Sequence, residues 1–310
     1  MTISKKLRNR PGVLQRGKDK VHKAVIKIGY DEAEHVIGVV IPSFRNNFFS
    51  YAVKGIVDTA AKKKYDVFIT ESGENKNTER MNIESLIKMK VDGLIVCVSQ
   101  ETEDTQIFER IGKMNIPMMF FDRKLEGMNL PSIEFDDRNG GISALEKIIK
   151  LGYKKIAHFA GYLSVSVGKS RCEAYRFVLE KNGIEIIPEW IIEGGFDIRD
   201  GYEAFKKLYD LKDLPEIIFA VNDRVALGAY NAAYEKGINI PDDIGIVGYG
   251  FIDTAIKFYP SISIINQDPM NMGIAAATLI MEKITNPDTD IIKYIISDKK
   301  FLWNKYIEIN

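Results

Sequence analysis

The sequence predicts an α/β protein made of two similar parallel-sheet lobes. Short apolar runs of strand length alternate with amphipathic segments of helical spacing, the pattern of a parallel sheet with helices on both faces. The series restarts after Gly152. The 310 residues exceed what one core holds, since single cores rarely grow past about 250 residues.

The unit on which the chain is built runs from Val36 to Ala61. Val36 to Ile41 is an apolar run that reads as a strand buried on both faces, and Pro42, which has no N–H to donate, ends it. A polar turn from Ser43 to Asn47 leads into a helix with Phe49, Val53, Ile56, Val57 and Ala60 at helical spacing. Before this unit, residues 2–10 read as a helical fragment, Arg10-Pro11-Gly12 as a turn, and Lys18 to Ile28 as a helix capped by Gly29. After it, strands are predicted at Asp66–Thr70, Leu94–Val98, Pro117–Phe121 and Ser132–Phe135. Helices separate them at Asn77–Met89 and Thr105–Met114, and a third, Gly141–Lys150, closes on Gly152.

In the second series, strands are expected at Lys155–Ala160, Trp190–Glu193, Ile217–Val221, Ile244–Val247 and Ser261–Ile265. The helices are Ser170–Lys181, Arg199–Tyr209, Ala226–Lys236 and Met270–Ile284, and a short β-prone run lies near Ile291–Ile296.

The formal net charge is zero, but residues 1–30 carry nine Lys/Arg against the single Asp19. A basic terminus on an acidic body suggests a polyanion partner, and a solvated basic helix is the plain alternative. No apolar segment of signal-peptide length precedes Val36 and no run approaches the roughly 18 residues of a membrane span, so a cytoplasmic protein is expected. Cys97 in a strand and Cys172 in a helix read as free structural thiols.

Catalysis finds no support. The stretch Gly161 to Ser170 resembles a phosphate-binding loop, but six residues separate its glycines where that loop has four. No G-x-S-x-G, H-E-x-x-H or paired Cys-x-x-Cys occurs, and His158 lies inside a strand, where a core role outweighs that of a general base. No catalytic residue, metal site or cofactor is expected. What recurs is a polar or aromatic cluster just after each strand: Asn47-Phe48-Phe49, Asp122-Arg123, Asp136-Asp137, Asn222-Asp223, Tyr249-Gly250-Phe251 and Gln267. In open α/β sheets such ends form the ligand crevice. Carboxylates, amides and a guanidinium pair with vicinal hydroxyls, and aromatic faces stack on the C–H face of a pyranose, so the set fits a neutral polyol or sugar. Each cluster alone also reads as a turn or cap; Asn222-Asp223 suits the cap of the following helix.

The segments IGVVIPSFRNNFFSYAVKGI, VDGLIVCVS, IPMMFFDR, GYKKIAHFAG, RCEAYRFVL, IFAVNDRVALGAYNAA, IPDDIGIVGYG and SIINQDPMNMG resemble the LacI/GalR family of bacterial transcription regulators. The resemblance implies a two-lobed effector domain of periplasmic-binding-protein type I architecture over residues 35–310. Lobe 1 would span about 35–160 plus 268–288 and lobe 2 about 161–267 plus 289–310, with crossovers near Gly161, Gln267 and residues 286–291. It also implies a homodimer, operator DNA and a saccharide-like small-molecule effector. Effector contacts would fall on Asn47, Phe48, Phe49, Arg123, Arg171, Asn222, Asp223, Tyr249 and Gln267, with Phe196 on the most variable wall.

The N-terminus departs from the family pattern. TISKKLRNRPGV resembles the later part of a recognition helix, and KDKVHKAVIKIGY a third helix, so residues 1–34 read as a partial helix-turn-helix. Thr2, Ser4 and Lys5 match groove-facing positions. Two expectations follow: an intact DNA-binding regulator read from an internal start, or a cytoplasmic sugar-binding member that has lost DNA binding.

Overall fold

The computed structural model describes residues 35–251, 262–289, 293–296 and 301–302. The helices expected over residues 2–10 and 18–28, and with them Thr2, Ser4 and Lys5, lie outside the described residues. In chain order the elements are β1 (His35–Ile41), α1 (Asn47–Ala61), β2 (Tyr65–Glu71), α2 (Lys76–Met89), β3 (Gly93–Val96), α3 (Gln106–Lys113), β4 (Met118–Phe121), β5 (Ser132–Phe135), α4 (Asp137–Lys150) and β6 (Ile156–Ala160). There follow α5 (Ser166–Lys181), β7 (Ile191–Glu193), α6 (Ile198–Asp210), β8 (Ile217–Ala220), α7 (Asp223–Glu235), β9 (Gly245–Gly250), β10 (Ser263–Asn266), α8 (Pro269–Thr285), β11 (Lys293–Ile296) and β12 (Phe301–Leu302).

The strands form two sheets, ordered β11-β5-β4-β3-β1-β2 and β12-β10-β9-β8-β6-β7. Every pairing is parallel except that of β10 with β12. Parallel sheets need cover on both faces, which is why β3, β4 and β8 read as unbroken apolar runs and are buried throughout. Edge strand β2 alternates instead. In lobe 1, Phe49, Ala52 and Ile56 of α1 pack with Met272, Ala276 and Ile280 of α8 on one face. Ile83 and Leu86 of α2 and Phe108 and Ile111 of α3 cover the other. Lobe 2 repeats the plan with α6 and α7 on one face and α4 and α5 on the other.

Two expected lobe boundaries move. Strand β6 pairs with β7 and β8 in the second sheet, and Ala144, Leu145 and Ile148 of α4 pack with Tyr175 and Val178 of α5. The first crossover therefore lies between β5 and α4, at Asp136, and not near Gly161. Strand β11 extends the first sheet beside β5, so the third crossover falls after Ile296 and not at residues 286–291. The second runs from β10 to α8, through Gln267 and Asp268.

Helices α4 and α5 also begin earlier than their glycines suggest. Asp136 caps α4, and Gly141 sits inside it because a Cβ there would stand 2.7 Å from the Tyr249 hydroxyl and 2.9 Å from Ala174 Cβ. Gly168 lies in the first turn of α5, where a Cβ would meet the Tyr162 carbonyl oxygen at 2.3 Å. The loop-like Gly161–Ser170 stretch is thus a helix start packed on backbone, with Lys169 paired 2.9 Å from Glu126. No helix among the described residues is long and apolar enough to cross a membrane.

Candidate functional site

The loops that leave the carboxyl ends of both sheets face each other. Between them lies a cleft with an outer chamber of about 670 Å³ and, beneath it, an inner one of about 40 Å³. Asn46, Phe49, Arg123 and Phe196 line both and form the partition.

Each partition residue has a local reason to be there. Asn46 is the N-cap of α1, its side chain accepting from Phe48 N, so its position is tied to the helix start. Phe49 is in the first turn of α1, buried against Phe121. Arg123 follows Asp122, whose φ of +61° costs a non-glycine residue about 1–3 kcal/mol. That turn sends the Arg123 side chain inward, where Nη1 donates to both Glu74 oxygens at 2.9 Å. The guanidinium lies 4.7 Å from the Phe196 ring centroid on the other lobe. Phe196 is seated on Gly161: a Cβ there would come within 2.2 Å of the ring. Its backbone carbonyl accepts from Asn222 Nδ2 at 2.9 Å.

The outer chamber is walled by alternating acids, hydroxyls and guanidiniums. Glu71, Glu74, Asp197 and Asp200 supply carboxylates, Arg45, Arg123 and Arg224 cations, and Ser43, Ser72, Thr78 and Tyr162 hydroxyls. Most of the charge is internally matched. Glu74 holds Arg123 and the Gln100 N–H, and Asp197 holds Arg224. Ser72 is 1% exposed and its Oγ has no hydrogen-bond partner among the described residues. The wall thus offers both donors and acceptors, with Glu71, Asp200 and Arg45 outside its two ion pairs.

The floor is a buried ionic cluster. Arg171 Nε and Nη2 donate to Asp137 Oδ1 at 3.0 and 2.6 Å, its Nη1 donates to the Val221 carbonyl, and its guanidinium lies 3.8 Å from the Tyr249 ring centroid. Tyr249 donates its hydroxyl proton to the Asp137 carbonyl, and Gln267 reaches Asp137 Oδ1 at 3.4 Å. Burial lifts the Asp122 carboxyl to about 7. Behind the lobe 1 wall, burial lifts Glu79 to about 7 although it accepts from Ser99 N and Thr102 Oγ1.

Nine of the ten residues expected from sequence line the inner chamber or its partition: Phe48, Phe49, Arg123, Arg171, Phe196, Asn222, Asp223, Tyr249 and Gln267. Asn47 does not, and the correction is to its neighbour. Asn47 is exposed on α1, while Asn46, the extended N-cap residue whose side chain turns back onto Phe48 N, lines the cleft. Arg171 lines the floor but is committed to protein partners. Asn222 both caps α7, accepting from Val225 N, and holds Phe196, so the capping and cleft readings hold together. The sequence reading missed the outer walls, above all Glu71, Ser72, Glu74, Gln100, Tyr162, Asp197 and Arg224. Glu71 to Glu74 directly follow a predicted strand, the same signal that picked the other clusters.

The family model for periplasmic binding proteins and the sugar binding domain of the LacI family matches residues 34–305. The HTH-type transcriptional repressor PurR of Haemophilus influenzae is 30% identical over 261 residues, covering 83% of this chain and 76% of the relative. The transcription regulator CcpA of Lactococcus lactis superposes with a TM-score of 0.80 at 21% identity, over 88% of this chain and 98% of that one. A transcriptional regulator CelR–cellobiose complex superposes with a TM-score of 0.79 at 20% identity, over 98% of this chain and 95% of that one.

Proposed function

The chain belongs to the family of periplasmic binding proteins and LacI-type sugar-binding domains, and from that premise we propose that it is a ligand-responsive transcription regulator and not an enzyme. A saccharide-like effector occupies the outer chamber, stacked on Phe196 with its hydroxyls on the surrounding carboxylates and amides. Binding biases the opening of the two lobes, and a homodimer passes that bias to operator DNA held by the N-terminal segment with Thr2, Ser4 and Lys5.

The observation that carries the reading is the outer chamber itself. Its volume lies within the roughly 300–1,000 Å³ range of small-molecule sites, and it sets the half-buried ring of Phe196 beside a nearly charge-balanced polar wall. Contacts that cross the cleft supply the coupling. Arg224 Nη1 donates to the Arg45 carbonyl at 3.0 Å, Lys124 N to Ser166 Oγ at 3.3 Å, and Lys169 pairs with Glu126. A ligand that alters the lobe angle must make or break these. The name of the PurR relative and the cellobiose complex of the structural neighbour support a repressor with a small-molecule effector.

The test is a thermal-shift screen of the full chain against mono- and disaccharides and purine-type ligands. A ligand at about 100 times its Kd adds roughly 2.7 kcal/mol to the folded state. A clear shift with a saccharide is expected. Cooperative melting with no saccharide response, or a response to purines alone, overturns the saccharide assignment.

A further inference from the structure

The two lobes share one architecture but not one charge. In a parallel sheet every helix returns to the amino edge of the strands, so the segments from helix end to next strand collect there, opposite the cleft. In lobe 1 these segments hold Lys62, Lys63 and Lys64 after α1, Lys88 and Lys90 at the end of α2, and Lys113 at the end of α3, all exposed. Among the described residues these segments hold two acids, Asp92 and Asp288, beside the exposed Asp66 at the start of β2, and Asp92 Oδ2 is held by Val36 N at 2.8 Å. The corresponding segments of lobe 2 hold six lysines against nine carboxylates, among them Glu185, Glu189, Asp242 and Asp243.

Helix dipoles favour a lysine at any helix C-terminus and account for the lysines in both lobes. They do not account for the missing acids in lobe 1. In lobe 2 two of the six lysines are paired, in Lys155–Asp213 and Lys181–Glu146, and the others stand among an excess of carboxylates. The ion pairs on lobe 1 helices run instead between Lys54 and Asp58 and from Arg80 and Arg110 to Glu84, leaving the six edge lysines outside every ion pair among the described residues. Because the carboxyl edges of both sheets meet at the cleft, the two amino edges are the opposite ends of the molecule, one basic and one acidic.

The geometry points to the amino edge of lobe 1 as a DNA-backbone contact surface in its own right, taking phosphates that flank whatever the N-terminal segment reads. This rests on the regulator reading above. Segment 1–34, with nine Lys/Arg, joins the lobe at His35 in β1, inside the row β2-β1-β3-β4 along which the lysines stand. At about 4.8 Å per strand that row is roughly 15 Å long, about four base-pair rises of 3.4 Å along a duplex axis. Lysines without carboxylate partners release counterions on meeting phosphate and impose no sequence preference, the character of a flanking clamp.

The experiment measures the affinity of the full chain for a 40-base-pair duplex of random sequence across a salt series. The variants are K62S/K63S/K64S, K88S/K90S/K113S and, as a control, K154S/K212S/K236S on lobe 2. Thermal melts confirm that each is folded. The wild type binds, each lobe 1 triple flattens the slope of log affinity against log salt by about 2.7, at roughly 0.9 per lost phosphate contact, and the control leaves the slope unchanged. Binding with an unchanged slope in both lobe 1 triples overturns the surface and leaves the regulator reading standing. No duplex binding by the wild type at low salt overturns both. Tighter binding to phosphatidylserine vesicles than to the duplex, lost in the same triples, overturns DNA as the partner.

Discussion

Replacing Gly161 by Ala adds a single methyl at the centre of the cleft. The new Cβ would stand 2.2 Å from Phe196 Cε1, 2.5 Å from Cζ and 3.0 Å from Cδ1. Gly161 follows directly on β6, whose ladder with β7 and β8 holds the backbone, so the ring must move. Leaving its seat takes Phe196 off Arg123, a contact of about 1 kcal/mol or more when desolvated, and withdraws the stacking face offered to a sugar, about 1 kcal/mol more. The first loss lowers the stability of the free protein; the second weakens effector binding by about 1 kcal/mol, or roughly five-fold in Kd. The assay is calorimetric titration of the saccharide that gives the largest thermal shift, on wild type, G161A, F196A and the double variant. G161A and F196A are expected to lose similar affinity. The double variant should be no worse than F196A, because without the ring the methyl has nothing to displace. Full affinity in G161A, or losses that add in the double variant, would refute the role given to Phe196 and its seat.

Three further outcomes follow from the same geometry. Arg171→Ala leaves Asp137 buried without its partner, a loss of about 3–5 kcal/mol visible as a large fall in the urea midpoint; a stability within about 1 kcal/mol of wild type would show that the floor does not depend on this pair. Ser72→Ala removes a buried hydroxyl that lacks a partner, so the free protein should be as stable or up to about 1 kcal/mol more stable, while effector affinity falls; weaker stability with unchanged affinity would take Ser72 out of the site. Glu79→Gln tests the buried carboxyl: with its folded value near 7 above the ordinary 4.5, the folded state holds the proton more tightly. Stability from this group is therefore fully present below about 4.5 and lost as pH rises to about 7. The melting advantage of E79Q over wild type should open across that window and stay constant above it. Comparing the two proteins cancels His158, which burial depresses to about 4 and whose own effect runs the other way. Parallel profiles would mean that Glu79 does not titrate in this range.

The amino-acid sequence by itself determined the elements and the edge at which chemistry collects. Apolar runs such as Val36–Ile41 and Ile217–Ala220 have one stable home, a strand covered on both faces, and the polar residues after each strand end can only emerge at the carboxyl edge. That is local physics, and it was enough to name Phe49, Arg123, Asn222 and Tyr249 as cleft residues. Tertiary structure decided what depends on partners distant in sequence. The run Ile156–Ala160 suits either sheet, and only its pairing with β7 and β8 assigns it to the second. The choice between Asn46 and Asn47 was made by which of them caps the helix: Asn46, extended, accepts from Phe48 N. Arg171 has the chemistry of a hydroxyl ligand, yet Asp137, 34 residues away in sequence, claims its guanidinium at 2.6 Å. The lysines of lobe 1 look ordinary one at a time; they become a surface only when parallel strand order places three helix ends side by side, because charge acts through space and not along the chain.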